Sequence, residues 1–346
     1  MKQLIALSWT LVLPFLMFAN ASSFTSLSEQ YSYHYFLEND STTVVHSDCS
    51  MLKRKCEGTI QWSDGAVYVG EFRFGKPHGE GTITYPDGTF YKGEFRRGVP
   101  DGVGLMEYED GSFYKGEWFN GLKEGHGTYT FAEGHEYTGA FENDTMNGFG
   151  KIKITTGEIY EGEWKNGLAE GHGVFTRKDG SRFIGNSKQG QRDGEGEIVW
   201  ASGDTLMGVW ENGLLVEEAT YVFADGTSMI SFWENGTLQD ELTYVDTDGN
   251  EWTESLDLLS QMNVTNESKF LDIAGAKMPL VFYGFAMEFH AMQNYELAER
   301  NLDLAYLIDS PANQTPYREM VVELTANIHS ERMDMLLGKG TGLFRF

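Results

Sequence analysis

The sequence predicts a mainly β fold: an elongated antiparallel meander of about eight 23-residue β-hairpin repeats, followed by an α-helical C-terminal cap. Three observations predict it. Stepping by 23 residues from Tyr68 lands on Tyr91, Tyr114, Tyr137, Tyr160, Phe183, Leu206, Met229 and Trp252. Within most units an aromatic residue, a glycine and a second aromatic stand at alternate positions, which places all three on one face of a strand. Glycine reaches 41 of 346 residues while proline stays at 7, so the surplus serves tight turns and excludes a collagen-like helix.

The first element precedes the repeats. Lys2 leads into an apolar run from Leu4 to Phe18, and Ala19-Asn20-Ala21 follows. A positive start, an apolar core and small residues at the two A-x-A positions read as a secretory signal peptide over residues 1–21, cut after Ala21. The alternative is an uncleaved anchor, since the run is slightly short of the ~20 residues needed to span a bilayer. Export would place the chain in a periplasmic or extracellular space. Residues 22–57, without period and rich in Ser, Thr and Tyr, are expected to be an extended arm. In an oxidising compartment a small disulfide loop between Cys49 and Cys56 is the default, and two lone thiols exclude a zinc cluster.

The repeats are expected over residues 58–252. The glycine between the aromatics recurs at Gly70, Gly93, Gly116, Gly139, Gly162, Gly185 and Gly208. The second aromatic recurs at Phe72, Phe95, Trp118, Phe141, Trp164, Trp210 and Trp233, with Ser187 as the exception. Gly-x-Gly pairs from Gly79/Gly81 to Gly194/Gly196 open a second strand, and Asp-Gly closes most units as a candidate two-residue hairpin turn. At ~4.8 Å between strands, eight such hairpins would extend roughly 75 Å.

The segments Tyr114-Lys115-Gly116-Glu117-Trp118 and Tyr160-Glu161-Gly162-Glu163-Trp164, with the glycines that follow, resemble the MORN repeat (membrane occupation and recognition nexus). The resemblance weakens after Gly196, where Leu206 and Met229 replace Tyr and Glu217-Glu218-Ala219 and Asp240-Glu241-Leu242 replace Gly-x-Gly. The family is associated with protein association, which is what the resemblance implies here.

Residues 253–346 are expected to be helical. The stretch Pro279 to Asp309 resembles one tetratricopeptide unit, with Phe282, Phe285, Ala286 and Phe289 on its first helix and Tyr295, Ala298, Leu302 and Ala305 on its second. A third helix is expected from Tyr317 to Leu337, between Pro316 and Gly338. One helical pair cannot bury its own apolar face, so a cap on the last hairpins is the favoured reading, with a peptide groove as the alternative.

Charge and chemistry narrow the function. With 52 acidic against 26 basic residues and a formal charge of -26, a nucleic-acid partner is excluded and attraction to anionic lipid is disfavoured. The charge is uneven: residues 193–268 hold 17 acidic residues and no Lys or Arg, whereas the earlier repeats mix both signs. His126 and His172, two repeats apart, would stand about 19 Å from one another and share no metal. Glu71, Glu94, Glu117 and Glu163 read as a solvated ladder, and no nucleophile motif or phosphate loop is present. No enzyme, cofactor or metal is expected.

The candidate binding face is the aromatic row Tyr68, Phe72, Tyr91, Phe95, Tyr114, Trp118, Tyr137, Phe141, Tyr160 and Trp164. It suits a non-catalytic exported scaffold that binds a protein partner through this face or through the helical end. Two alternatives stand beside it: peripheral membrane-surface binding by the N-terminal repeats, and carbohydrate stacking along the rings. The second fails if the rings fill one another's gaps. Asn143, Asn235, Asn263 and Asn266 each begin a glycosylation triplet, relevant only in a eukaryotic host.

Overall fold

The computed structural model describes residues 42–47, 55–255, 278–291, 295–308 and 322–328. The expected signal peptide, most of the N-terminal arm and Cys49 lie outside these residues. Among the described residues the fold is mainly β: an antiparallel meander of nineteen strands, followed by three short helices. Contacts divide the chain into two compact units, one within Phe18–Asp179 and the other within Gly180–Phe346.

The first unit begins with β1 (Thr42–Ser47) and β2 (Cys56–Trp62), which pair antiparallel. Five hairpins follow. They are β3 (Val67–Arg73) with β4 (Lys76–Thr84), β5 (Phe90–Arg96) with β6 (Val99–Glu107), β7 (Phe113–Phe119) with β8 (Leu122–Thr130), β9 (Glu136–Glu142) with β10 (Thr145–Lys153), and β11 (Ile159–Lys165) with β12 (Leu168–Thr176). The second strand of each hairpin also pairs with the first strand of the next, as in β4 with β5, so the register Tyr68↔Ile83↔Tyr91↔Met106↔Tyr114 carries the 23-residue period straight across the sheet.

In the second unit the hairpins are β13 (Arg182–Lys188) with β14 (Gln191–Val199), β15 (Thr205–Glu211) with β16 (Leu214–Val222), and β17 (Ser228–Glu234) with β18 (Thr237–Val245). A last strand, β19 (Glu251–Ser255), contains Trp252 and pairs with β18. The expected eight hairpins are all present. Helices α1 (Met278–Ala291) and α2 (Tyr295–Ile308) occupy the two segments expected to be helical, and α3 covers residues 322–328 inside the expected third helix. Phe282, Phe285, Ala286, Ala298 and Leu302 are buried, and Phe285 meets Trp233 edge-on with ring centroids 4.4 Å apart. At Gly284 an added Cβ would lie 3.5 Å from both Trp200 and Tyr221, so α1 rests closely on the ring-bearing face of β14 to β17.

The turns correct one expectation. The Asp-Gly sites do not form two-residue turns. At Ser63-Asp64-Gly65, Gly65 N–H donates to the Trp62 carbonyl and Trp62 N–H to the Ala66 carbonyl, which makes a three-residue loop with only the glycine at positive φ. The Asp carboxylate accepts the amide two residues on, as Asp87 does from Thr89 and Asp110 from Ser112. The two-residue turns lie at the other ends of the strands. Asn120-Gly121, Asn166-Gly167, Asn212-Gly213 and Asn235-Gly236 have positive φ at both residues, the mirror-image turn that matches strand twist.

Candidate functional site

The aromatic row expected to bind a ligand is the core. All ten of its side chains are buried, none more than 5% exposed. Four of the five tyrosines meet two second-position aromatics edge-on: Tyr68 meets Phe72 and Phe95, Tyr91 meets Phe95 and Trp118, Tyr114 meets Trp118 and Phe141, and Tyr137 meets Phe141 and Trp164, while Tyr160 meets Trp164 and the next unit has Ser187 at that place. Centroid separations of 4.9 to 5.2 Å and near-perpendicular planes bring each ring's positive edge to its neighbour's negative face. The assignment of this row as a binding face, and sugar stacking with it, is therefore corrected. The rings occupy the space a ligand would need.

The glycines make the ladder possible. Each tyrosine folds back over its own strand, so that Tyr68, Tyr91, Tyr114, Tyr137 and Tyr160 donate their hydroxyls to the carbonyl three residues on, at 2.8 to 3.1 Å. The ring then crosses the facing glycine pair. A Cβ at Gly81, Gly104, Gly127, Gly150 or Gly173 would come within 2.2 to 2.5 Å of that hydroxyl. Burial of the phenols, which disfavours the charged form, is the leading cause that raises their pKa values, for Tyr160 to about 12.

The expected solvated glutamate ladder also has structural work. Pairing slips where three residues such as Asp101-Gly102-Val103 face Glu94 alone, a bulge that removes one amide from the ladder. The glutamate accepts that amide: Glu94 from Val103, Glu117 from His126 and Glu163 from His172, at 3.1 to 3.2 Å. The recurring histidines are thus bulge residues, with His126 and His172 exposed on the outward side.

Two groups escaped the sequence reading. Lys123 is 6% exposed; its ammonium lies between the rings of Tyr108, Tyr114 and Tyr129 and 3.8 Å from Asp144 Oδ1. Asp144 stands where other units have a turn glycine, at φ 68°, and its carboxylate accepts the Lys123 amide at 2.8 Å. The missing glycine at position 144 was the available signal. Arg192, also buried, pairs across the hairpin with Ser187 and lays its guanidinium 4.4 Å from the centre of the Phe183 ring. It fills the room that a second aromatic takes in the other units.

What remains open to solvent is the outward side of the strands and the turns. Val69, Val103, Phe149, Met207 and Phe232 are exposed there. Phe149, Lys151, Ile159, Glu161, His172 and Val174 line a groove of about 450 Å³, crossed by the Lys151–Glu161 ion pair at 3.0 Å. Among the described residues no group of three or more His, Cys, Asp or Glu side chains is placed to hold a metal, and no helix is long and apolar enough to cross a membrane.

A family model described as MORN repeat matches residues 68–90, 91–113, 114–136, 137–158, 160–182, 183–205 and 207–228. The chain carries seven MORN repeats. The eighth hairpin, β17 with β18, keeps the architecture beyond the last matched repeat. No curated protein matches the chain. Among solved structures, the TCP domain of Drosophila melanogaster SAS-4, in complex with a proline-rich motif of Ana2, is 15% identical and aligns over 62% of this chain and 97% of that one, with a TM-score of 0.23. A streptogramin B lyase is 10% identical over 62% and 87%, with a TM-score of 0.14. Scores this low carry no argument about fold or function.

Proposed function

We propose that the protein is a non-catalytic MORN-repeat scaffold, exported through its N-terminal segment, that binds a protein partner through outward surfaces of its repeats. One observation carries the reading most. The interlocked rings spend the aromatic face on folding, while large apolar side chains such as Val103 (56% exposed) and Phe149 (61% exposed) stand in solvent on the other side. Aromatic and aliphatic anchors on a rigid frame suit protein association. Chains built of MORN repeats are generally scaffolds without chemistry of their own.

Cross-linking of the full chain in its native cell, followed by mass spectrometry, tests this. A recurrent partner linked through Lys92, Lys115 or Lys151, all on exposed outward positions, is the expected result. Failure to recover any stable partner would sink the reading. Intact-mass measurement of the mature chain tests export: a mature start at Ser22 and a mass two hydrogens below the reduced form, from Cys49–Cys56, are expected, and retention of residues 1–21 with free thiols would remove that part.

A further inference from the structure

Three of the two-residue turns depart from the residue preference of their own geometry. Both central residues of such a turn take positive φ, which suits Asn before Gly. Asn holds the first place at 120, 143, 166, 212 and 235 and Gln at 189, but the bulkier Phe74 (φ 52°) and Arg97 (φ 56°) hold it in the first two hairpins. A bulky residue in this conformation is an outlier that points toward use. Both side chains are exposed, and so are their neighbours Arg73, Lys76 and Arg96. The third turn adds Phe119, 55% exposed, beside Phe74 at 53%.

The turns of these first three hairpins lie on the same rim of the first unit, about 10 Å apart per hairpin. They are fastened together. Gly98 N–H donates to the Pro77 carbonyl at 2.9 Å, Gly121 N–H to the Pro100 carbonyl at 2.8 Å, and Asn120 N–H to Asp101 Oδ2 at 3.4 Å. Arg73 leans over the Phe74 ring at 5.6 Å, and Arg96 meets Asp101 only at 3.8 Å. The rim therefore presents four exposed cations and two exposed phenyl rings on a chain of net charge -26. The opposite rim of the same unit carries Asp64, Asp87, Asp110 and Glu133 with Lys178 at its end, and the matching turns of the second unit carry one cation, Lys188, beside Glu211 and Glu234.

We propose that this rim docks an acidic protein segment that also carries apolar side chains. Guanidinium groups pair with carboxylates in a bidentate fork, and phenyl rings supply the desolvated anchor that holds such pairs in place. Arginine with aromatics is the composition of protein interfaces, whereas attraction to anionic lipid draws mainly on longer polybasic clusters. The inference rests on the scaffold reading for the class of partner and adds the surface and its chemistry.

The test uses the full chain with labelled twelve-residue peptides: one alternating Glu with Leu and Phe, one all-Glu, and one alternating Lys with Leu and Phe. Phosphatidylserine-containing vesicles form a fourth arm. The Glu/Leu/Phe peptide should bind best, and both R96E/R97E and F74N/F119S should weaken it at least tenfold while the denaturant midpoint is not lowered. Equal binding by either variant overturns the proposal, as does equal binding of the all-Glu peptide with the Phe substitutions silent. Vesicle binding without peptide binding reassigns the rim to lipid, and no binding in any arm also overturns it. A partner cross-linked at the outward lysines would in either case leave the scaffold reading standing.

Discussion

The repeats of β3 to β12 and those of β15 to β18 reach the same backbone by different side chains, and the difference shows what the unit requires. In the first set a tyrosine always faces a glycine pair, as Tyr114 faces Gly116 and Gly127. In the second set Leu206 comes with Gly208 and Ala219, and Met229 with Ser231 and Leu242. Residues on the two strands change together because one volume is shared between them. Where the phenol shrinks to an aliphatic chain, the facing glycine is free to grow a side chain, and Ala219 and Leu242 are buried at 1% and 0% exposure. Ser231 keeps a buried hydroxyl only by donating it to the Ala219 carbonyl and accepting the Trp233 indole N–H. The requirement is a filled gap; the glycine is one solution.

The largest way to break this comparison is alkali. Tyrosines of the first unit have pKa values raised by burial, so they stabilise the fold fully below the unfolded value of about 10. That contribution is lost as pH rises through the folded values, about 12 for Tyr160. The first unit should therefore unfold as pH climbs from about 10 to beyond 12, while the second, whose ladder positions hold Phe183, Leu206 and Met229, keeps its structure longer. Absorbance at 295 nm should rise together with the loss of amide protection in residues 67–176; phenols that ionise early without unfolding would contradict this.

Next comes volume. Gly127→Leu should cost more than about 4 kcal/mol, because the new side chain collides with Tyr114. Adding Tyr114→Met, which copies the Met229/Leu242 pair, should recover much of the loss. Urea midpoints decide, and a double variant no better than the single one breaks the idea of a shared volume.

The buried pair is third. Lys123→Met should cost about 3–5 kcal/mol by leaving the Asp144 carboxylate inside without its cation. Adding Asp144→Gly restores the arrangement of neighbouring units and relieves a non-glycine residue at positive φ, so the double variant should equal or exceed the parent in thermal melting. Glu117→Ala ranks below it, at about 1–2 kcal/mol, for the bulge amide of His126 that it strands. Smallest, and of opposite sign, Phe74→Asn should stabilise by roughly 1 kcal/mol through relief of the left-handed backbone. A melting point that falls instead would show that Phe74 is needed for the fold.

Much of the fold was legible because the period is exact: Tyr68 to Met229 place the strands, and alternation with period two places the rings on one face. The turn chemistry was legible only in part. Asp-Gly attracted the two-residue assignment, yet the Asp carboxylate prefers to accept the amide two residues on, which lengthens the loop and leaves the tight geometry to Asn-Gly. The binding face was misplaced for a related reason. Periodicity shows that Tyr91 and Trp118 share a face, but whether that face is open depends on rings from successive hairpins meeting edge-on across a glycine gap, a contact between strands. Lys123 and Asp144 were hidden because each looked like one more charge in a mixed-charge region, and only their shared junction makes them a pair. Phe74 and Arg97 become legible once the turn's preference for Asn is set beside them.

The tyrosine and the glycine it covers lie thirteen positions apart, as Tyr114 and Gly127 do, so both fall inside a single 23-residue unit. A unit copied by gene duplication thus arrives with its own lock and key and can lengthen the array without any adjustment elsewhere. Lys123 and Asp144 are different, since they sit on consecutive units. A duplication that copied either unit alone would strand a charge in the interior, so lineages in which this array grew or shrank should have done so away from that junction.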